Sequence, residues 1–276
     1  MNDNTQPPAN GVDAYAPPQI AARVENAGVA KAALPTLQTL TLAVLAGAFI
    51  AFGAMFFTLV MTNSGLGFGV GRLVGGMAFS LGLVLVVIAG AELFTGNNLI
   101  VMAWADGKIT LVAMLRNWLL VYMGNFVGAV ATAMIVHWSG ILGLDGGAVG
   151  ETAVAIAQGK VALPFTEAFF RAVLCNTLVC LAIWLCFAAH TVAGKILAIM
   201  LPISAFVALG FEHSVANMYF IPLAMLAAGD AAGAGLTLGG LVGNLVPVTL
   251  GNIIGGSVLV ALVYWIIYIR RPSTKK

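Results

Sequence analysis

The chain has 276 residues, of which 61% are hydrophobic and only 8% are charged, and it contains 33 glycines. This composition excludes an ordinary soluble globular protein and is typical of a helical membrane protein with about six spans of roughly 20 residues each. The formal net charge of +2 is too small to indicate a nucleic-acid-binding protein. The predicted surrounding is therefore the lipid bilayer, and nucleic acid is not a predicted partner.

The two ends of the chain are predicted to lie outside the membrane. Residues 1–34 are assigned to a cytoplasmic N-terminal tail and a helix at the membrane surface. Residues 1–18 are polar, with two Pro-Pro pairs, and residues 19–33 have one apolar helical face. The segment 35–270 is predicted to be the transmembrane domain, and 271–276 a cytoplasmic C-terminal tail.

Six membrane spans are predicted, and two of them are longer than one crossing requires. The region 73–105 has about 33 residues, whereas about 20 are enough to cross the hydrocarbon core. We expect this region to be divided near Glu92–Asn98, and its later counterpart to be divided near residues 211–217. The predicted spans in chain order are 38–62, 73–105, 112–138, 167–189, 195–228 and 241–269.

The two overlong segments contain the same polar motif, Gly-x-Glu followed by Asn five residues after the Glu. Glu92 and Asn97 belong to the first copy, and Glu212 and Asn217 to the second. An ionisable group at membrane depth costs roughly 2.5–3.5 kcal/mol on an insertion scale, and matched interrupted segments are typical of transport sites. The motifs therefore predict a channel or transporter whose pathway passes between the two breaks.

A second motif, Asn-x6-Gly-Asn-x2-Gly, begins at Asn117 in the third span and at Asn244 in the sixth. The two copies of this motif are 127 residues apart and the two copies of the Glu motif are 120 residues apart, so the two motifs occur in the same order in each half of the chain. A three-span unit repeated once enters the membrane from opposite sides. The predicted fold is an all-α polytopic membrane protein with six spans in a 3+3 inverted repeat, spans 2 and 5 being broken.

The distribution of positive charge predicts the orientation. With both termini in the cytoplasm, nine of the twelve lysines and arginines lie on inner segments and three on outer segments. This excess of inner cations is what membrane insertion favours. A multi-pass protein of the cytoplasmic (inner) membrane is predicted.

The breaks suggest the chemistry of the pathway. Helix N-termini at the breaks expose amide donors and partial positive charge, which favours an anion. His213 lies in the second break, where the first copy has Leu93, and imidazole titrates near physiological pH. Glu92 and Glu212 are predicted to be structural, each accepting amide hydrogen bonds from its own broken loop and also meeting Asn97 or Asn217; a proton relay is the alternative.

Other chemistry is less compatible with the sequence. Cys175, Cys180 and Cys186 have neither disulfide nor zinc spacing, so no metal site and no cofactor is predicted. The adjacency of His213 and Ser214 raises an intramembrane enzyme as an alternative, but the sequence identifies no third group that would orient such a pair. A water or glycerol channel is the other remote alternative.

Several stretches resemble the formate/nitrite transporter family, most closely its bacterial formate channels. The string Phe211–Met218 is the most specific of them. The resemblance implies an aquaporin-like protomer, assembled as a homopentamer with a pore in each protomer. The other matching stretches are Glu92–Thr95, Arg116–Trp118, Gly124–Gly128, Ala172–Asn176 and Asn244–Asn252.

The resemblance also implies roles for particular residues. It makes His213 the central pore residue and Thr95 its partner, while Lys160, on a loop, and Asn176 complete a polar cluster near His213. The residues implied to form two apolar constrictions are Phe79, Leu83, Leu93, Phe94, Val179 and Phe206.

The hypothesis is a transporter, not an enzyme, that moves formate in a pH-dependent way while His213 protonates or hydrogen-bonds the anion. Nitrite or hydrosulfide is the alternative substrate within the same family. Acetate and lactate are further small monovalent anions to which the pathway could be open.

Overall fold

The computed structural model describes residues 14–229 and 235–270. Within these ranges the chain is helical, with short 3-10 and π segments and no strand, which confirms the all-α prediction. Residues 1–13 of the predicted N-terminal tail and the whole predicted C-terminal tail, 271–276, lie outside the described residues. The last two residues of the predicted N-terminal tail, Pro17 and Pro18, begin the first helix. The helices in chain order are α1 (Pro17–Ala32), α2 (Thr36–Met61), α3 (Phe68–Leu85), α4 (Val101–Ala105), α5 (Leu111–Trp138), α6 (Ala148–Val161), α7 (Phe165–Ala188), α8 (Val192–Ala208), α9 (Ser214–Ala228), α10 (Leu238–Ile253) and α11 (Val263–Tyr268).

Five segments of the described chain are apolar and long enough to cross a membrane. They correspond to α2, to α3 with the π turn that extends it to Gly90, to α5, to α7, and to α10 with the π segment that joins it to α11. Each overlaps one of the predicted spans. The shorter apolar helices α8 and α9 together occupy the region of the predicted fifth span.

Both predicted breaks are present. After Gly90 an irregular segment, 91–95, leads to a 3-10 turn at Gly96–Ile100 and then to α4. After α8, residues 209–213 lead into α9. Gly90 and Gly210 have φ values of 82° and 70°, a left-handed conformation that glycine adopts at little cost and that commonly ends helices. The glycine of each Gly-x-Glu motif therefore sets the point at which its helix stops.

Helix α6 differs from the prediction. Its sequence is rich in alanine and glycine and also carries Glu151 and Lys160, so it has neither the hydropathy of a span nor a strong apolar stripe. Lys160 was predicted to lie in a loop, and this is wrong: the residue lies in the last turn of α6. The helix packs against α9 and thereby brings Lys160 to the second break.

Helix α1 packs against the body of the molecule around the first break. Its buried face includes Ile20 and Val24, and Gly28 allows close approach to Ile100. Lys108 donates a hydrogen bond to the buried carboxylate of Glu25. Burial raises the pKa of Glu25, whereas the bond to Glu25 raises the pKa of Lys108. The helix predicted for the membrane surface is thus also tied to the protein.

Glycines let the long helices approach closely in both halves. A Cβ atom at Gly128 of α5 would lie 2.0 Å from the carbonyl oxygen of Val44 in α2. A Cβ atom at Gly255, just after α10, would lie 2.2 Å from the carbonyl oxygen of Val173 in α7. Small residues at such positions allow backbone-to-backbone packing of membrane helices. The spans thereby hold the two breaks in fixed positions.

Candidate functional site

His213 and Thr95 bring the two breaks into contact. His213 Nε2 lies 2.9 Å from Thr95 Oγ1, and both residues are buried. The ring also caps helix α9, because the amide of Ala216 donates to His213 Nδ1 at 3.1 Å. A backbone amide can only donate, so Nδ1 accepts and the neutral imidazole carries its proton on Nε2. That proton is directed to Thr95.

An apolar chamber with a volume of about 10 Å³ lies beside this pair. A cavity of this size holds about one water molecule. Phe206 stacks on the imidazole of His213, with ring centroids 5.9 Å apart. The chamber is lined by Ile50, Phe79, Leu83, Leu93, Val179, Ile203, Phe206 and His213.

The chamber lies between two larger cavities, which we name after their lysines. The Lys31 vestibule has a volume of about 380 Å³, and the Lys160 vestibule one of about 480 Å³. Leu93 lines both the Lys31 vestibule and the chamber. Phe79, Phe206 and His213 line both the Lys160 vestibule and the chamber. The three cavities therefore form a series with its narrowest part at His213.

A buried polar network holds the first break. Lys31 Nζ donates to Glu92 Oε1 at 2.5 Å, and Asn97 Nδ2 donates to Glu92 Oε2 at 2.7 Å. Asn97 also donates to Asn117 Oδ1 at 2.9 Å, and Asn117 Nδ2 donates to the carbonyl of Lys31 at 3.1 Å. The carboxylate thus has a partner on each oxygen.

The second break has the same network. Lys160 Nζ donates to Glu212 Oε1 at 2.9 Å, and Asn217 Nδ2 donates to Glu212 Oε2 at 2.6 Å. Asn217 donates to Asn244 Oδ1 at 2.7 Å, and Asn244 Nδ2 donates to the carbonyl of Lys160 at 2.9 Å. Both glutamates contact the asparagine five residues later, but their remaining donors are lysines, not amides of their own loops.

Two further asparagines occupy the loop amides that were expected to be free. Asn125 Oδ1 accepts from the amide of Phe94 at 2.9 Å, and Asn252 Oδ1 accepts from that of Ser214 at 2.9 Å. The amide of Ala216 donates to His213, so the amides of Phe94, Ser214 and Ala216 all have hydrogen-bond partners already. The first break also continues as a 3-10 turn and lacks a regular α-helical N-terminus. The expectation of two free helix ends facing an anion is therefore wrong for these amides.

Asn176 contacts the backbone of Thr95 and not its hydroxyl group. Its Nδ2 lies 3.2 Å from the carbonyl oxygen of Thr95, 2.7 Å from Asn98 Oδ1 and 2.7 Å from the carbonyl oxygen of Asn252. The structure therefore brings Asn176 to Thr95 and to the sixth predicted span, whereas Lys160 approaches His213 from the side of the Lys160 vestibule.

Five of the six constriction candidates line the central chamber, and Phe94 does not. The Phe94 ring packs edge-on against Tyr122 and Trp118, at centroid distances of 4.9 and 6.2 Å, and lines neither the chamber nor the vestibules.

Three residues of the site were not singled out from the sequence: Lys31, Ile50 and Ile203. The internal repeat could have found them. Lys31-Ala-Ala-Leu-Pro recurs as Lys160-Val-Ala-Leu-Pro, 129 residues later, and Ile50 lies 129 residues before Val179. Ile203 lies 120 residues after Leu83, the same separation as that of the two Glu motifs.

Comparison with known proteins gives one consistent result. A family model described as formate/nitrite transporter matches residues 18–266. The formate channel FocA of Escherichia coli K12 is 41% identical, over 95% of this chain and 97% of the relative. A probable formate transporter of Methanothermobacter thermautotrophicus is 43% identical, over 86% of this chain and 90% of the relative.

Solved structures agree. A structure described as a pentameric formate channel with formate bound has a TM-score of 0.79 and 41% sequence identity, covering 85% of this chain and 98% of that chain. An FNT family ion channel has a TM-score of 0.80 and 34% identity, covering 90% of this chain and 98% of that chain. These relatives are channels and transporters, which argues against the intramembrane-enzyme alternative. The chain belongs to the formate/nitrite transporter family.

Proposed function

We propose that this protein is a membrane channel that moves formate and other small monovalent weak-acid anions. The observation that carries the proposal is the His213–Thr95 pair beside an apolar chamber of about 10 Å³, with a lysine-bearing vestibule on each side. The relatives named as formate channels support formate as the principal substrate. Nitrite and hydrosulfide remain the alternatives that the same cavity chemistry accommodates.

The architecture that we propose is six spans in a 3+3 inverted repeat. It is supported by the recurrence of the Lys-Glu-Asn-Asn network and of the glycine contacts in both halves. With both termini in the cytoplasm, the Lys31 vestibule faces the cytoplasm and the Lys160 vestibule faces outward. By analogy with the pentameric relative, five copies assemble in the inner membrane, each with its own pathway.

A bare carboxylate does not cross the chamber without compensation. Transfer of an ionised group into an apolar environment is far more costly than transfer of a neutral polar group. Formate has three heavy atoms and the chamber holds about one water molecule, so side chains such as Phe206 and Leu93 must also move during passage. The site therefore has to offset the charge at the same point at which it restricts size.

His213 offsets the charge mainly as a hydrogen-bond donor. With Nδ1 accepting from Ala216, the neutral ring presents Nε2–H, and Thr95 retains its own hydroxyl proton for a second bond. Delivery of a proton requires the imidazolium: its Nε2 proton passes to formate, giving formic acid and the neutral ring. An imidazolium also has a proton on Nδ1, so the bond from Ala216 must then break. Acidification favours this second route, and flux is expected to rise as pH falls.

The test is transport by purified protein in liposomes, with formate, nitrite, hydrosulfide, lactate and glycerol compared at two external pH values. His213→Phe should reduce formate flux about tenfold or more, since a hydrogen bond to a charged group is worth about 1.5–3 kcal/mol, and should abolish its pH dependence. His190→Phe is the matched control, because His190 is exposed and packs against the ring of Tyr15 outside the pathway.

Undiminished, pH-dependent formate flux in His213→Phe would contradict the role of the histidine. Faster movement of nitrite or hydrosulfide than of formate would assign the alternative substrate. Glycerol movement without anion flux would favour the water or glycerol channel.

A further inference from the structure

The cations that are most evident in the two vestibules are already neutralised. Lys160 lies 2.9 Å from Glu212, with side-chain exposures of 15% and 4%, and Lys31 lies 2.5 Å from Glu92. Paired charges at this separation cancel one another at the distances from which an approaching anion responds. The net positive potential of each vestibule must come from other residues.

We infer that Arg72 supplies the uncompensated positive charge that concentrates the anion in the Lys160 vestibule, and that Lys195 does so in the Lys31 vestibule. Both side chains line their vestibules. Within residues 14–229 and 235–270 neither one lies within salt-bridge distance of a carboxylate. The inference rests on the proposed anion-channel function and extends it.

Arg72 is held at the C-terminal end of helix α8, just before the second break. Its Nε donates to the carbonyl of Ala208 at 3.0 Å, and its Nη2 donates to that of Val207 at 3.1 Å. These carbonyls belong to a helix C-terminus, which carries a partial negative charge of about 0.5 and would repel an anion. The full charge of the guanidinium exceeds it. Loss of Arg72 would therefore remove a cation and also expose the negative helix end to the pathway.

Arg171 provides a comparison within the same vestibule. It lines the vestibule, but its Nη2 lies 3.0 Å from Glu167 Oε2, and the two side chains are 42% and 53% exposed. Its charge is paired and screened by solvent. Arg171 should contribute little to anion capture, although it carries the same side chain as Arg72.

Lys195 has the corresponding place in the other vestibule. It lies in the first turn of α8, half-buried, and its own carbonyl accepts a bond from the thiol of Cys186. The ammonium remains available to the vestibule. Among the described residues, each vestibule thus has a lysine paired with a glutamate and a second cation, Arg72 or Lys195, that has no carboxylate within salt-bridge distance.

The experiment measures the initial rate of formate flux into proteoliposomes at ionic strengths of about 10 mM and about 1 M, adjusted with sodium sulfate. The Debye length falls from about 30 Å to about 3 Å over this range, so the field of the vestibule is present at one end and screened at the other. Arg72→Gln should lower flux at least about threefold at low ionic strength and match the wild type at high ionic strength. Arg72→Lys should retain the wild-type rate, and Lys195→Gln should behave like Arg72→Gln.

Arg171→Gln is the matched control and should change flux less than twofold at either ionic strength. An equal loss in Arg72→Gln at both ionic strengths, without rescue by Arg72→Lys, would assign Arg72 only to holding α8 and would overturn the inference. Wild-type rates in Arg72→Gln at low ionic strength would overturn it as well. Absence of formate flux in the wild-type protein would overturn the proposed function and the inference together.

Discussion

A buried carboxylate at each break is stabilised by two donors whose geometry the rest of the network fixes. Glu212 has one oxygen on Lys160 and the other on Asn217. Desolvation of such a charge is expensive, and the removal of one partner from a buried pair typically costs about 3–5 kcal/mol because the other charge stays behind. The irregular backbone of each break therefore depends on this hydrogen-bond network for its stability.

This predicts unequal effects of removing the two lysines. Lys160→Met should lower stability by about 3 kcal/mol, since its side chain is only 15% exposed. Lys31→Met should cost less, because the Lys31 side chain is 31% exposed and water can partly replace it at Glu92. Apparent melting temperature in detergent is the measurement. Arg171→Met, which removes an exposed pair, should cost about 0–1 kcal/mol, and an effect as large as that of Lys160→Met would refute this ranking.

The sequence allowed His213, both glutamates and both motif asparagines to be predicted, because a polar motif in an apolar segment is a local signal. Lys31 was not predicted as part of the site, since its contact with Glu92 spans 61 residues and the helix that carries it is amphipathic like any surface helix. The sequence also could not predict which ring nitrogen of His213 carries the proton. This depends on the turn that places the amide of Ala216 on Nδ1, which no spacing of residue types specifies.

At the scale of the elements, close helix contacts hold the breaks in position. Helix α5 meets α2 through Gly128, where a Cβ atom would lie 2.0 Å from a backbone oxygen that cannot rotate away. The sequence indicated the glycine spacing but not the partner helix. Helix α6 was missed for a related reason, because small residues pack well without producing a hydrophobic stripe.

Gly128→Ala should therefore force α5 away from α2 and lower stability by about 1–3 kcal/mol, the usual cost of overpacking. Gly243→Ala is the matched control: Gly243 lies in α10, and a Cβ atom there meets nothing within 4 Å. Size-exclusion profiles after heating in detergent would report both. Equal stability of the two variants would show that the α2–α5 contact adjusts freely.

At the scale of the whole molecule, the proposed inverted repeat predicts that equivalent connections lie on opposite faces of the membrane. The connection between α2 and α3 in the first half corresponds to that between α7 and α8 in the second half. In the proposed inverted arrangement an odd number of spans separates these two connections, and they therefore lie on opposite faces of the membrane. Cysteine labelling can examine this directly, since Cys175, Cys180 and Cys186 are all buried and should react slowly.

Leu66→Cys and Val192→Cys mark the two connections, at positions where the native side chains are 46% and 56% exposed. A membrane-impermeant thiol reagent added to intact cells should label Leu66→Cys, whereas Val192→Cys should react only after the membrane is permeabilised. The unsubstituted protein is the background control. Labelling of both variants from outside would refute the inverted repeat, while the reverse pattern would keep the repeat but place the Lys31 vestibule on the outer side. The same two variants thus separate the topology of the protein from its orientation, which the positive charges of the chain alone predict.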